Sequence, residues 1–331
     1  MLQLFSRRQS NLAFLIILVC FIPLQAANSF LFKDMDVWHQ SAPLANFIYH
    51  ILGESILQNS WFIFFTSFFL ILLHLVIVHN IISKIKNLDK HSVLLTWLYL
   101  WLIHLFPEWS TFSPALMATS ILLICLYLFY ENVEDRSDSF VFNISLLIGV
   151  SFLLWYPSIL LLAFFAIALF QYNALNIKRI FIIFLSFILP TTNMLAYFFL
   201  SDQSEKILYS LGNFHLQELI LVQPDLKVIA VIVLTLILTI LGLFQALSLA
   251  AKTVKFSRLF INNLLSLVIF VLLASFLSTN EFSYSLLALI FPISLYLVLF
   301  INIIKRPIYA EIVHISLILM ILFNFVYTLQ S

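Results

Sequence analysis

The chain has 331 residues, 63% of them hydrophobic and 9% charged, with a formal net charge of +1 and a mean hydropathy of +1.10. Soluble domains carry about 25% charged residues, so a soluble globular domain is excluded, and a charge this close to zero gives no bulk attraction to nucleic acid. The four glycines, Gly53, Gly149, Gly212 and Gly242, are too dispersed for a glycine-rich phosphate loop, which argues against a nucleotide cofactor.

Apolar runs recur from end to end, and about 20 such residues cross a hydrocarbon core of about 30 Å. The pattern predicts an all-α polytopic membrane protein with residues 1–331 forming a single membrane domain. Eleven spans are expected, at approximately 11–28, 61–83, 92–106, 114–130, 142–155, 158–172, 180–200, 228–249, 259–278, 283–303 and 310–328. The first run follows "SRRQSN" and ends near Ala27, so it has the build of a secretory signal as well as of an uncleaved span. An uncleaved span is the reading adopted. Cys20 and Cys125 fall inside apolar runs and are read as small hydrophobes rather than a disulfide or metal pair.

The first polar stretch is "FLFKDMDVWHQSAPL" (30–44). Asp34 and Asp36 stand one residue apart, with His39 close behind. Paired carboxylates of this kind suit a hard divalent cation, Mg²⁺ or Mn²⁺, and one of them would serve equally as a general base. Two acids in a solvated loop are the plainer explanation. After them, "SAPLANFIYHILGESILQ" (41–58) has helical period, with Leu44, Phe47, Ile48, Ile51, Leu52 and Ile56 on one face and Asn46, His50 and Glu54 on another. Ser41 is the expected N-cap. This segment reads as an amphipathic helix lying at the membrane surface, or packed on neighbouring spans.

His74 is the one clear titratable group in mid-span, with Gln245, Asn302 and Asn324 as polar company and no Asp, Glu, Lys or Arg near any span's centre. Ion-coupled transport uses intramembrane charges, so this disfavours it, and a histidine bonded between helices is the expected state of His74. "HLFPEWSTFSP" (104–114) places Glu108 in a tight turn. Residues 143–172 are too long for one straight crossing and short for two, with Pro157 removing a backbone donor and disfavouring helix at Tyr156. Charge decides between them. With a break at Pro157 and a cytoplasmic N-terminus, 13 Lys and Arg lie inside and Lys33, Lys206 and Lys227 outside; a single kinked span gives eight on each side. Lys and Arg are enriched in cytoplasmic loops, so the break is preferred and the C-terminus falls outside. The outer loop 201–227 then contributes Lys206 and His215.

Two resemblances follow from these residues. "FPEWSTFSPALMATSILLICLYLFY" (106–130), "FNISLLIGVSFLLWYPSILLLAFFAIALF" (142–170) and "RIFIIFLSFILPTTNMLAYFFL" (179–200) resemble an uncharacterised family of multipass inner-membrane proteins from Bacteroidota. That implies a bacterial inner-membrane location and no particular activity. The order of acidic first outer loop, helix opening at Pro43–Leu44, then "SPALMATSILLICLYLFY" resembles the GT-C class of membrane glycosyltransferases. The resemblance implies transfer of a sugar from a polyprenyl-phosphate carrier on the outer face, with Asp34 and Asp36 as base or metal ligands. His39, Glu108, Lys206 and His215 are then the expected substrate-binding residues. The chain departs from many members of that class in having no Arg-rich outer segment for the donor phosphate. Two other classes remain open at this point: a structural or assembly subunit of a cell-envelope complex, and a flippase for a lipid-linked glycan.

Overall fold

A computed structural model describes residues 11–31, 38, 42–85, 88, 91–134, 137–201, 255–277, 286–303, 311 and 315–323, with scattered positions between 237 and 248. Every regular element among them is helical. In chain order these are α1 (Asn11–Leu31), α2 (Pro43–Leu52), α3 (Glu54–Leu57), α4 (Ser60–Ser83), α5 (Ser92–Ile103), α6 (Pro107–Ser110), α7 (Pro114–Asn132), α8 (Asp138–Leu154), α9 (Leu160–Gln171), α10 (Ile177–Leu200), α11 (Lys255–Leu277) and α12 (Ile290–Ile303). One-turn 3₁₀ segments, Tyr156–Ile159 and Leu286–Leu289, precede α9 and α12.

Among the described residues four helices are long and apolar enough to cross a membrane: Ser60–Ser83, Pro114–Asn132, Ile177–Leu200 and Ser257–Ala274. α4 opens at Asn59, whose side chain accepts from the Trp61 N–H at 2.9 Å, and its 24 residues extend ~36 Å at about 1.5 Å per residue. α7 opens at Ser113, which accepts from the Leu116 N–H, with Pro114 in the first turn where its missing donor costs nothing. α5 is different. Its 12 residues extend only ~18 Å, short of a crossing, and eleven of them are buried among α1, α4 and α12. Such a helix is held by protein on all sides rather than by lipid.

The chain breaks where Pro157 predicts. Trp155 is extended (φ −153°, ψ 108°), and Pro157 sits in the first turn of the following 3₁₀ segment. The backbone groups freed there stay bonded: the Trp155 N–H donates to Ser151 O at 2.8 Å and the Ser158 N–H to Trp155 O at 3.1 Å. Backbone away from water must be satisfied internally, and these bonds meet that demand.

Ion pairs establish that this break reverses the chain. Asp138, ahead of the apolar part of α8, receives Lys178 Nζ at 2.6 Å and Arg179 Nε at 2.9 Å from the start of α10. The N-termini of α8 and α10 therefore lie at one end, so α9 must return between them. Lys84 and Glu131, at 2.6 Å, tie the ends of α4 and α7 together at that same end, which we term the ion-pair end. Gly149 lets α8 and α10 meet closely: a Cβ there would run into the Phe187 carbonyl oxygen and sit 3.1 Å from Pro190 Cγ. Such close approach through small residues is the usual way membrane helices pack.

Gly149→Ala is accordingly expected to cost about 1–3 kcal/mol through overpacking, read as a lower melting temperature in detergent; an unchanged value would show that α10 yields freely. The Lys178 ammonium, then the Arg179 guanidinium, holds the Asp138 carboxyl below its ordinary value. A carboxyl lowered by folding stabilises above its unfolded pKa and loses that contribution as pH falls through the folded one. Acidification below about pH 4 should therefore lower the wild-type melting temperature more than that of Asp138→Asn.

Candidate functional site

The end opposite the ion pairs holds a buried hydrogen-bonded network built from four separate segments. α1 brings Gln25, Asn28 and Ser29, α4 brings Ser67, the residue after α5 is His104, and α6 brings Ser110; all six are buried. The two Gln25 Nε2 protons go to Ser67 Oγ at 2.6 Å and the Ser110 carbonyl at 2.8 Å, with Ser29 Oγ a longer contact at 3.3 Å. Asn28 Nδ2 donates to Ser110 Oγ at 2.7 Å. The serine protons go elsewhere: Ser67 donates to Ile63 O and Ser110 to Pro107 O, which leaves both oxygens free to accept. His104 meets two acceptors, Leu100 O at 2.8 Å through Nδ1 and Gln25 Oε1 at 3.2 Å through Nε2. A neutral imidazole has one proton, and the shorter contact places it on Nδ1.

Packing positions this network. Buried residues Ile17, Phe21, Gln25, Asn28 and Ser29 lie on one face of α1, and Phe21 stacks on Phe68 of α4 with centroids 4.8 Å apart. Phe21 also meets the His104 ring edge-on at 5.8 Å. The α6 turn is stitched locally, with the Thr111 hydroxyl donating to Glu108 O at 2.9 Å.

His74, deeper in the bundle, is bonded at both ring nitrogens. Its Nδ1 lies 2.9 Å from the Tyr99 hydroxyl and its Nε2 2.7 Å from Ser120 Oγ. Ser120 itself donates to Leu116 O at 2.9 Å. One arrangement satisfies every partner: Tyr99 donates to Nδ1, and Nε2–H donates to Ser120. His74 is a neutral core histidine joining α4, α5 and α7.

Above the network sits the amphipathic helix, in two pieces. The sequence predicts one helix over 41–58, whereas α2 ends at Gly53, whose φ of 75° suits a residue without a side chain, and α3 resumes at Glu54. Ala42 stands at the N-cap with no side-chain bond; Ser41 lies outside the described residues. α2 is packed as well as superficial. Leu44 and Ile48 contact the cluster of Ala115, Ala118, Leu154 and Trp155, and Phe47 meets the Tyr197 ring at 5.4 Å. His50 and Ile51 remain exposed.

Trp38, two residues beyond Asp36, is buried in a cluster with Ala45 and Leu57. Its ring lies 5.2 Å from Phe112. Phe112 in turn lines an open-sided lateral groove of about 620 Å³, together with Thr66, Phe69, Leu70, Leu73, Val76 and Met117. Ligand pockets span about 300–1,000 Å³, and this one has an almost wholly apolar wall.

Of the residues expected to form a site, Glu108 is described: it is half-buried in α6, two positions before Ser110. Asp34, Asp36, His39, Lys206 and His215 lie outside the described residues, as do Gln245, Asn324 and the side chain of Asn302. Among the described residues no three His, Cys, Asp or Glu side chains gather as a metal centre. The network residues Gln25, Asn28, Ser67 and Ser110 were not apparent from sequence, because each is an isolated polar residue in or beside an apolar run. No family model, curated protein or solved structure matches this chain.

Gln25→Leu leaves the Ser110 carbonyl without its amide donor, a loss of about 1–3 kcal/mol for a buried polar group. Chemical unfolding in detergent should show that loss, and Ile22→Leu, on the exposed side of α1, should show almost none.

Proposed function

We propose that this protein is a GT-C-like membrane glycosyltransferase that takes a sugar from a polyprenyl-phosphate carrier at the end of the bundle opposite the ion pairs. The observation that carries the reading is the contact between Trp38 and Phe112. Phe112 lines the lateral groove, and Trp38 follows the Asp34–Asp36 pair by two residues. An apolar groove open to lipid thus adjoins Trp38, two residues after the acidic pair in the chain, which supports a lipid-linked donor with its chain in hydrocarbon and its phosphate and sugar at the surface.

In this scheme the isoprenoid chain lies along α4, and α2 with Trp38 bounds the headgroup. Asp34 or Asp36 deprotonates the acceptor hydroxyl or holds Mg²⁺ or Mn²⁺. Glu108 and His39 orient the sugar, and Lys206 or His215 steadies the leaving phosphate. The acceptor oxygen forms the new bond to the anomeric carbon as the bond to the carrier phosphate breaks, and the carrier leaves as polyprenyl phosphate. The scheme takes eleven passes between the two ends of the bundle in a bacterial inner membrane, α5 being one that is too short to span the hydrocarbon by itself, with the ion-pair end cytoplasmic. Lys84, Lys178, Arg179 and Arg258 are at or beside that end, as expected from the cytoplasmic preference of basic residues.

A second reading, an assembly subunit of an envelope complex, draws on α10. Phe181, Phe184, Leu185, Ile188 and Phe199 are exposed along it, and Asn193 is exposed within its apolar length. A carboxamide facing lipid favours a neighbouring helix.

The two readings separate on activity. Purified protein in liposomes, given labelled polyprenyl-phosphate sugars, is expected to transfer label, and Asp34→Asn or Asp36→Asn to reduce transfer by about 10²-fold or more. Leu73→Trp, which fills the groove, should raise KM for long-chain carriers and leave water-soluble short-chain analogues unaffected. Full activity in both Asp variants would end the enzymatic scheme.

A further inference from the structure

The ion-pair end contains a second polar centre, unrelated to the network and independent of the proposed activity. α7 brings Tyr130, α9 brings Gln171, α11 brings Asn263 and α12 brings Tyr296. Asn263 and Tyr296 are 0% and 1% exposed. Both polar atoms of the Asn263 carboxamide, the Tyr130 and Tyr296 hydroxyls and Gln171 Oε1 are buried without a hydrogen-bond partner among the described residues. The groups converge on one face of α11, where Phe260, Asn263 and Ser266 follow one another at intervals of three. The Asn263 carboxamide lies within reach of the Tyr130 hydroxyl, and the Tyr296 hydroxyl is near enough to act on Tyr130 electrostatically. The Tyr130 ring is fixed edge-on against Phe260 at 4.7 Å, and Gln171 Nε2 is already committed to Ser266 Oγ at 3.1 Å.

Five such atoms in one junction need a partner, because a buried polar group left unbonded costs more than an ordinary hydrogen bond returns. Direct closure cannot supply it. Were Tyr130 to swing onto Asn263, one atom of that carboxamide, the Tyr296 hydroxyl and the Gln171 carbonyl would still be open. The chemistry of the set selects the guest. Asn263 Nδ2 can only donate, so a cation is opposed. Gln171 Oε1 and Asn263 Oδ1 can only accept, so an anion is opposed. A hydroxyl both gives and takes a proton. Water is its smallest form and bonds about three otherwise unsatisfied groups when buried.

The junction lies close to the exposed surface of the ion-pair end. Tyr130 precedes Glu131, whose pair with Lys84 is half-exposed, and the exposed Glu134 acts electrostatically on Tyr172, next to Gln171. We propose that this junction of α7, α9, α11 and α12 is a hydration chamber that binds water on the Asn263 carboxamide and the Tyr130 and Tyr296 hydroxyls.

Hydroxyl-radical footprinting of the purified protein in H₂¹⁸O tests this, because radicals formed from bound water oxidise the side chains beside it. Tyr99 is the internal control, being as buried as Tyr296 but bonded to His74. Tyr130 and Tyr296 are expected to take up ¹⁸O several-fold faster than Tyr99, and Asn263→Leu to slow both towards the Tyr99 rate. Wild-type Tyr130 and Tyr296 no faster than Tyr99 would overturn the proposal, whether or not the variant folds. So would fast labelling that persists unchanged in a folded Asn263→Leu protein.

Discussion

Backbone polar groups cannot be left open in hydrocarbon, and this constraint governs how the chain turns within the bundle. At Trp155 the α8 helix stops, and the two contacts that close the gap are backbone bonds to Ser151 and from Ser158. Trp155 is buried, with Leu154, against Ala115 and Ala118 at the foot of α7. The irregular backbone is therefore covered by protein, the condition under which such a break is tolerated at membrane depth. The reversal that follows carries α9 back and returns Lys178 and Arg179 to Asp138. The relation of α9 and α10 to the two ends follows from that one turn.

α5 depends on the same logic in another form. A helix of 12 residues is shorter than the hydrocarbon core is thick, so its C-terminal end needs polar partners inside the protein. The Leu100 carbonyl, in its last turn, receives His104 Nδ1. With its proton on Nδ1, His104 only packs against Gln25 of α1 through Nε2, whereas Tyr99 is hydrogen-bonded to His74 of α4. The network opposite the ion pairs thus joins the short helix to the long ones around it. Isolated Gln, Asn, Ser and His residues on apolar helices serve the same purpose generally in membranes, where association has no hydrophobic force behind it and hydrogen bonds contribute.

The surface around that network has a division of labour. α2 rests on the ends of α7, α8 and α10 through Leu44, Ile48 and Phe47, and Gly53 breaks the amphipathic run so that α3 is a separate turn before α4 begins. Trp38 and Phe112 connect this cover to the lateral groove. Phe62 completes the aromatic group, 5.8 Å from Phe112. Aromatic pairs of this geometry stabilise beyond their area, which makes the cover a fixed part of the bundle rather than a loose flap.

Composition, period and the distribution of Lys and Arg determined that the chain is helical and apolar enough for a membrane, that Pro157 interrupts residues 143–172, and that His74 is a bonded core histidine. Each is a local property: hydropathy sums over a window, proline lacks a donor, and an uncharged imidazole among apolar neighbours must find partners. Tertiary structure decided the rest. It joined Gln25, Ser67, His104 and Ser110, which are far apart in the chain and carry no shared period. It split 41–58 at Gly53, and it set Tyr130, Gln171, Asn263 and Tyr296 around one junction. Which single polar residues meet depends on helix rotation and crossing, and those are set by packing between helices, a quantity no window along the sequence contains.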